Sequence, residues 1–361
     1  MAAFGKDRDD GGSFAGVNFS APSKTPHPIP RPSGARGSEY NAEEKILELN
    51  QRAHALVQPI IETPREIGAE LVQLECGAKV LDLGVATGRG GLEAGRQMAE
   101  ICLAGLGEVS FSLGDAPGTR TFVNVCTDRP ELACIASQYA GWQIKTENFF
   151  GMGSGPMRVK AAKEPVIREL NLTDDYPVAV GVLETSRLPG DEVCQKIAAD
   201  CHVDPKNLVL LAARTASIAG HVQVVARSVE TSLHKLHELE FDLSKIASGF
   251  GAAPLPPIAA DDVAGIGRTN DAILYGGTVT LWVNETSERL KEFGEKLPSS
   301  TSTMYGQPFE KILRDAKFDF YQIDPLLFSP AEVCLVSLQD GKSTIFGQRN
   351  LEVLAQSFGQ G

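Results

Sequence analysis

The stretch AKVLDLGVATGRGGLEAGRQMAEICLAGLG (residues 78–107) carries the pattern that decides the fold class. Its first eight residues form a short apolar run rich in β-formers, which predicts a buried strand before a glycine-rich turn. Residues 91–107 then read as a helix that ends in glycine. The alternation continues along the chain, because EVSFSL, TFVNVCT, YPVAVGVLET and LVLLAARTA all predict strands. Strands interleaved with helices predict an α/β fold, or a mixed α+β fold, with at least one mixed sheet.

Composition and charge exclude several classes of function. Of the 361 residues, 42% are hydrophobic and 22% are charged, and the formal net charge is −12. Such an acidic chain has no general attraction for nucleic acid or an anionic membrane. No apolar run reaches membrane-spanning length, and the N-terminus lacks the pattern of a secretory signal. The seven cysteines are odd in number and lack CxxC spacing, so we expect buried free thiols and a cytoplasmic location.

The N-terminal segment differs from the rest of the chain. Residues 1–40 are rich in Pro, Gly and Ser, which predicts a disordered tail. Its prolines at every second position would also suit a proline-binding partner, although a tail or tether is favoured. Beyond it we expect an N-terminal α/β part over 41–165 and a C-terminal α/β part over 166–361. That boundary is soft, and it is placed where polar and charged residues dominate.

A glycine motif in the opening stretch permits a second functional hypothesis. VLDLGVATGRGG (residues 80–91) resembles the first motif of a Rossmann methyltransferase, in which glycines let the backbone approach the ligand. Asp82, Gly84 and Gly88 match that motif, Ala86 replaces the middle glycine, and Asp115 could hold the ribose hydroxyls. Because the motif is incomplete, a strand-to-helix turn is favoured over an S-adenosylmethionine-dependent methyltransferase.

The segment VQVVARSVETSLHKLHELEF (residues 222–241) predicts a helix over 223–240 with two distinct faces. The apolar face comprises Val225, Val229, Leu233 and Leu236. The ionisable face comprises Arg227, Glu230, His234 and His237. Arg227 and Glu230 are close enough to interact, so Glu230 could act as a base beside Arg227 if the pair lines a cleft. From spacing alone a solvated surface salt bridge is favoured, and the histidine spacing does not suit a metal.

Polar loop residues supply further candidates. They are Gln138, Tyr139 and Trp142 in SQYAGW; Ser154 and Gly155 in GMGSGP; Arg214, Thr215 and Ser217 in ARTASIAG; and Arg268, Asn270 and Asp271 in GRTNDAILYGG. Glycine-rich loops with a hydroxyl can bind an anion through backbone N–H groups. No segment matches the P-loop pattern. The adjoining AILYGGTVTLWV (residues 272–283) predicts a hairpin through Gly276-Gly277.

Taken together, several of these blocks resemble the methenyltetrahydromethanopterin cyclohydrolase family over about residues 41–357. The blocks are AEICLAGLGEVSF, SQYAGW, MGSGP, TASIAGHVQVVARSVETSLHKLHEL, GRTNDAILYGG, KLPSS, YGQPF and FYQIDPLLFSPAEV. The resemblance implies two closely joined α/β parts with a cleft between them, usually assembled as a homotrimer. It also implies reversible hydrolysis of 5,10-methenyltetrahydromethanopterin to 5-formyltetrahydromethanopterin, in methanogenesis or in bacterial formaldehyde oxidation (methylotrophy).

The resemblance also assigns residues. It implies that Glu230 and Arg227 are catalytic, with a positioned water activated by Glu230 and held in register by Arg227. It implies substrate contacts from Gln138, Tyr139, Ser154, Gly155, Thr215, Ser217 and Asn270, and it lets Arg214 touch an anionic part of the coenzyme. No metal or prosthetic group is expected, since the tetrahydromethanopterin-type coenzyme is itself the carrier of the substrate. A non-catalytic pterin-binding protein is a third hypothesis, and the presence of both Arg227 and Glu230 argues against it.

Overall fold

The computed structural model describes residues 45–46 and 48–359. The strands are β1 (Lys45–Ile46), β2 (Glu70–Gln73), β3 (Lys79–Asp82), β4 (Glu108–Ala116), β5 (Thr119–Thr127), β6 (Trp142–Lys145), β7 (Phe150–Ser154), β8 (Leu172–Thr173), β9 (Ala179–Glu184), β10 (Leu208–Ala213), β11 (Ile246–Pro254), β12 (Thr278–Val283), β13 (Glu332–Ser337) and β14 (Ser343–Gly347). The helices are α1 (Leu49–Glu62), α2 (Leu92–Cys102), α3 (Met157–Ala161), α4 (Pro165–Glu169), α5 (Asp191–Asp200), α6 (Ile218–Val225), α7 (Ser228–Glu238), α8 (Asp262–Leu274), α9 (Ser287–Gly294), α10 (Phe309–Asp315) and α11 (Leu351–Ser357). A π-helical segment spans Glu131–Gln138.

The first sheet has six strands in the order β2-β3-β10-β9-β7-β6. Its central strands β3, β10 and β9 run parallel, and the flanking strands are antiparallel to their neighbours. Strand β10 is buried along its whole length, and β9 is buried up to its last residue. Parallel strands of this kind are apolar on both sides because helices cover both faces. Here α1 and α2 pack on one face and α5 packs on the other.

The second sheet has six strands in the order β14-β13-β12-β11-β5-β4. Only β12 and β13 run parallel; the other pairs are antiparallel. Strands β12 and β13 alternate strictly between buried and half-buried residues. This alternation places one face of the sheet on the core, where α7, α8 and α9 pack against it.

The two sheets confirm the predicted mixed α/β class. Each sheet takes strands from before and after residue 165, because β4 and β5 belong to the second sheet and β9 and β10 to the first. The boundary at residue 165 therefore does not separate the sheets, and the division into two parts there stays a prediction. The tail prediction for residues 1–40 lies outside the described residues.

The single helix expected over 223–240 is wrong, because two helices occupy the region. Helix α6 begins at Ile218, where the Ser217 hydroxyl accepts a hydrogen bond from the N–H of Gly220, and it ends at Val225. Helix α7 begins at Ser228, after a break at Ala226 and Arg227. The predicted apolar face is nevertheless buried, because Val225, Val229, Leu233 and Leu236 all belong to the core. These four side chains are buried in spite of the break, so their helical spacing alone could not reveal it.

The predicted hairpin through Gly276-Gly277 is also wrong. The residues before these glycines belong to α8, whose start is capped by Asp261 accepting from the N–H of Ala264. Ile266 and Ile273 bury one face of that helix at helical spacing, which outweighs the β-like composition of the run. The glycines therefore join a helix to β12.

Along the described chain, no helix is both long and apolar enough to cross a membrane.

Candidate active site

A cavity of about 600 Å³ is lined by six of the residues singled out from the sequence, namely Tyr139, Thr215, Arg227, Glu230, His234 and Asn270. One wall is apolar and is formed by Ile266, Ile273, Leu313, Phe318, Ile323 and Phe328, among others. The polar part of the lining includes Glu184, Thr215, Arg227, Glu230, His234 and Asn270. An apolar cavity with a few convergent polar groups is the usual form of a small-molecule site.

Arg227 occupies the break between α6 and α7, and this residue is only 7% exposed. It donates hydrogen bonds to the backbone carbonyl oxygen of Gln138, to Ser154 Oγ at 3.1 Å and to Gln223 Oε1 at 3.1 Å. All of these acceptors are neutral. Within the described chain no carboxylate oxygen lies within ion-pair distance of this guanidinium, so the predicted direct Arg227–Glu230 pair is absent. Hydrogen bonds to Gln138, Ser154 and Gln223, rather than an ion pair with Glu230, hold Arg227 in place.

Glu230 lies in the first turn of α7, is 5% exposed and lines the cavity. Burial raises the pKa of Glu230 to about 7, while the nearby charges of Arg227 and Arg158 lower it and that of Glu164 raises it further. Desolvation disfavours the charged carboxylate, and the arginines compensate only in part. The result is a carboxyl group that can take up or release a proton near neutrality, as a general base requires.

Gln138 and Ser154 are hydrogen-bonded to Arg227, and neither they nor Gly155 line the cavity. Gln138 closes the π-helical segment, and its Nε2 donates to the carbonyl oxygen of Ala226 at 3.1 Å, directly before Arg227. Ser154 is buried between Arg227 and Cys102. Gly155 has a φ of +87° and donates its N–H to the carbonyl oxygen of Ser137. The contacts that these three residues were expected to make with substrate stay predictions, whereas the hydrogen bonds of Gln138 and Ser154 with Ala226 and Arg227 are observed.

Tyr139 follows the π-helical segment and forms part of a stack at the cavity wall. Its ring lies 5.1 Å from that of His234, with 19° between the ring planes. The guanidinium of Arg158 lies 5.0 Å from the centroid of the Tyr139 ring. Burial lowers the pKa of His234 to about 4, so this imidazole is neutral at physiological pH. The stack therefore offers a neutral aromatic surface beside Glu230. Trp142 lies in the core.

The remaining predicted contacts divide between the cavity and the loops around it. Thr215 and Asn270 line the cavity, and Asn270 Nδ2 donates to the carbonyl oxygen of Ile266 at 2.9 Å. Ser217 is occupied as the cap of α6. Arg214 is paired with Asp262 at 3.0 Å, so its guanidinium already has an anionic partner.

Glu184 is a cavity residue that the sequence analysis missed. It ends β9, and its Oε1 accepts a hydrogen bond from the Thr215 hydroxyl, which follows the adjacent strand β10. Its Oε2 accepts from Gln223 Nε2 at 3.5 Å, and Gln223 in turn accepts from Arg227. A signal was present, because Glu184 and Thr215 follow two buried apolar strands, and ligands often bind at the carboxyl ends of parallel strands.

Asp82 accounts for the methyltransferase-like motif without a ligand. This fully buried carboxylate accepts hydrogen bonds from the backbone N–H groups of Gly84, Val85, Ala86, Thr87 and Gly88. A Cβ at Gly88 would lie 2.0 Å from the carbonyl oxygen of Asp82, so this glycine is required for close packing of the turn. The amide groups of the turn are thus already bonded within the protein, which supports the strand-to-helix interpretation.

Comparisons with known proteins show which proteins this chain is similar to. The family model described as Cyclohydrolase (MCH) matches residues 48–358. The methenyltetrahydromethanopterin cyclohydrolase of Rhodopirellula baltica is 48% identical over 293 residues, covering 78% of this chain and 86% of that relative. The protein of the same name from Methylobacillus flagellatus is 43% identical and covers 86% of this chain and 95% of its own. That from Methanosphaerula palustris is 44% identical and covers 87% and 99%.

Proposed function

This chain belongs to the MCH cyclohydrolase family, and from that membership we propose that it hydrolyses 5,10-methenyltetrahydromethanopterin reversibly to 5-formyltetrahydromethanopterin. The observation that carries the mechanism is Glu230, a buried carboxyl group with a pKa of about 7 at the wall of a cavity of about 600 Å³. The coenzyme would be the carrier of the reacting carbon. That no metal or prosthetic group takes part, and which pathway the reaction serves, stay predictions.

Glu230 acts as the base in the proposed hydrolysis. The methenyl carbon of the substrate is part of an electron-poor amidinium cation, so it needs a positioned water more than it needs activation. Attack forms a bond between the water oxygen and this carbon, and one water proton passes to Glu230. Ring opening then breaks the bond between the carbon and N10. N10 gains a proton, the hydroxyl loses one to become the formyl oxygen, and the overall reaction releases one proton.

Arg227 lowers the pKa of Glu230, and its positive charge partly balances the negative charge of the site. Its positive charge lowers the pKa of Glu230 against the larger effect of burial, which keeps enough carboxylate available near neutrality. Its hydrogen bonds to neutral groups fix the guanidinium, so it does not depend on Glu230 for its position. A fixed arginine can therefore stay in place while Glu230 gains and loses its proton.

The cavity suits a flat heterocycle with one positive charge. The Tyr139 and His234 rings provide a stacking surface, and the phenylalanine and isoleucine side chains of the lining provide an apolar one. Burial raises the pKa values of Glu184 and Glu230, and a cationic ligand beside these carboxyl groups would favour their ionised forms.

The direct test is the loss of methenyl absorbance on adding the protein, run with the methanopterin and the folate forms of the coenzyme in parallel. We expect turnover of the methanopterin form. Glu230→Gln should reduce kcat by about 10²- to 10⁴-fold while the substrate still binds. Glu292→Gln is the matched control, because Glu292 is an exposed carboxylate paired with Arg289 on α9, and it should retain full activity. Full activity in Glu230→Gln would reject the base assignment.

We also propose that the protein forms homo-oligomers, with a homotrimer expected, through the outer face of the second sheet. A row of neighbouring residues crosses this face, namely Cys126, Phe250, Thr280, Cys334 and Ile345. Phe250 is 43% and Ile345 is 64% exposed, which leaves apolar surface for a second copy of this chain to cover. Sedimentation of the wild type should give a trimer, and Phe250→Asp should shift it toward smaller species. A monomeric wild type would contradict the proposal.

A further inference from the structure

Glu184 is placed at the cavity by two adjacent parallel strands. It is the last residue of β9, opposite Ala213 at the end of β10, and Thr215 lies two residues beyond that strand. The Thr215 hydroxyl donates to Oε1 and the Gln223 amide donates to Oε2 at 3.5 Å. These two bonds orient the carboxylate, which is only partly buried and lines the cavity. Glu184 is thus an oriented hydrogen-bond acceptor at the carboxyl ends of two parallel strands.

The other carboxylates of the cavity wall differ from Glu184 in their partners. Asp262 forms an ion pair with Arg214 at 3.0 Å, and Glu238 lies 3.7 Å from His234. Glu184 is bonded only to neutral donors in the described chain, and its nearest cation, Arg227, is reached through Gln223. Burial raises the pKa of Glu184, whereas the bonds from Thr215 and Gln223 and the charge of Arg227 lower it. In its ionised form a carboxylate can accept about four hydrogen bonds, so Glu184 at the cavity wall then retains unused acceptor positions.

The two ends of a methenyl pterin need different partners. The amidinium end carries the positive charge and the carbon that is attacked. The opposite end, the aminopyrimidinone, presents an N–H and an adjacent NH₂ side by side. A carboxylate accepts such a pair through both oxygens, in the same way as it accepts the two parallel donors of an arginine side chain. Glu184 ends β9, whereas Glu230 lies in α7. Gln223 is hydrogen-bonded to both Glu184 and Arg227, and Arg227 lies in the break before α7.

We propose that Glu184 binds the N–H and NH₂ edge of the pterin ring, and so places the amidinium carbon at Glu230. The proposal rests on the proposed function and assigns Glu184 to recognition of the ring. Thr215 is then a positioning residue, because its hydroxyl holds the carboxylate of Glu184 in the acceptor orientation. A ring without the 2-amino group would lose one of the two hydrogen bonds.

The test compares two ligands on two proteins. The probes are 6-methyltetrahydropterin and its analogue with hydrogen in place of the 2-amino group, each measured as a competitive inhibitor of methenyl hydrolysis. We expect the wild type to bind the complete pterin about tenfold or more tightly than the analogue, as for a hydrogen bond to a charged group. In Glu184→Gln the preference should shrink toward one, and KM should rise more than kcat falls. Thr215→Val should show the same change in smaller degree, with Glu292→Gln as the unchanged control.

Three outcomes would overturn the proposal. The first is equal inhibition of the wild type by both probes, which needs no variant and so does not depend on folding. The second is an undiminished preference in Glu184→Gln. The third is a fall of kcat alone, because that would mean that Glu184 acts on Arg227 through Gln223 and does not touch the ring. The proposed function fails separately, by lack of wild-type turnover, which is measured before any probe is added.

Discussion

Arg227 and Glu230 are three residues apart, yet the guanidinium of Arg227 donates its hydrogen bonds to Gln138, Ser154 and Gln223 rather than to the carboxylate of Glu230. The break at Ala226 and Arg227 makes this possible, because it takes Arg227 out of the helix that carries Glu230. The arginine therefore affects Glu230 by its charge, across space, and leaves the carboxylate available to water.

The pH dependence of hydrolysis should report Glu230. Burial raises the pKa of Glu230 to about 7, and the base is active only when ionised. We therefore expect kcat/KM for hydrolysis, which reflects the free enzyme, to rise with pH and level off above about 7. Initial rates of methenyl loss would measure it. His234, whose pKa is about 4, is the control: His234→Asn should leave the inflection in place, and an inflection that moves would assign it to the histidine instead.

Removing the charge of Arg227 should move that inflection upward. The charge of Arg227 lowers the pKa of Glu230 and so partly compensates the effect of burial. Arg227→Met removes that charge and should therefore raise the pKa of Glu230 further. The same pH series would show it as hydrolysis that needs more alkaline conditions. Arg227→Lys keeps the charge but not the forked hydrogen bonds, and its inflection should lie nearer the wild type. A downward shift in Arg227→Met would contradict this account of the site.

Glu230→Gln should stabilise the folded protein at alkaline pH. A carboxyl group whose folded pKa is raised binds more protons in the folded state between its unfolded pKa, about 4.3, and about 7. The free energy of unfolding therefore falls as pH rises through this range. The variant lacks that penalty, so its Tm should exceed the wild-type Tm at pH 8 and approach it at pH 5. Equal differences at both pH values would show that Glu230 is not strained by burial.

Asp82→Asn should destabilise the turn after β3. The carboxylate accepts from five backbone N–H groups, and an amide offers one acceptor oxygen and an NH₂ that repels the others. We expect a loss of about 2 kcal/mol or more in the free energy of unfolding, measured with urea. Burial raises the pKa of Asp82, but the backbone hydrogen bonds outweigh it and lower the pKa overall.

The pH dependence gives an independent check on Asp82. Because its folded pKa is depressed, its stabilising effect is present above the unfolded pKa of about 3.9 and is lost as pH falls below that value. The difference between wild type and Asp82→Asn should therefore shrink in acid. A constant difference from pH 7 to pH 3 would mean that the carboxylate charge has no part in holding the turn.

The elements with strong local patterns were predictable. The apolar run before Asp82 and the helix after Gly91 appear as β3 and α2, and the buried face through Val229 and Leu233 is present. The break at Arg227 was not predictable from the sequence, because it depends on contacts from Gln138 and Ser154, which come from distant segments. The residues before Gly276 form the end of α8 and not the predicted strand, because short buried segments of helix and of strand have similar compositions.

The sequence by itself determined the mixed α/β class, the cavity residues Tyr139, Thr215, Glu230 and Asn270, and the placing of Arg227 and Glu230 near each other. Spacing on one segment is enough to place Arg227 near Glu230, whereas the cavity residues were expected from the family resemblance. Only the tertiary structure decided which way Arg227 points, how far burial raises the pKa of Glu230, and that Glu184 joins the cavity. Hydrogen-bond partners and desolvation depend on groups far apart in the chain, and their positions become defined only when the sheets and helices pack together.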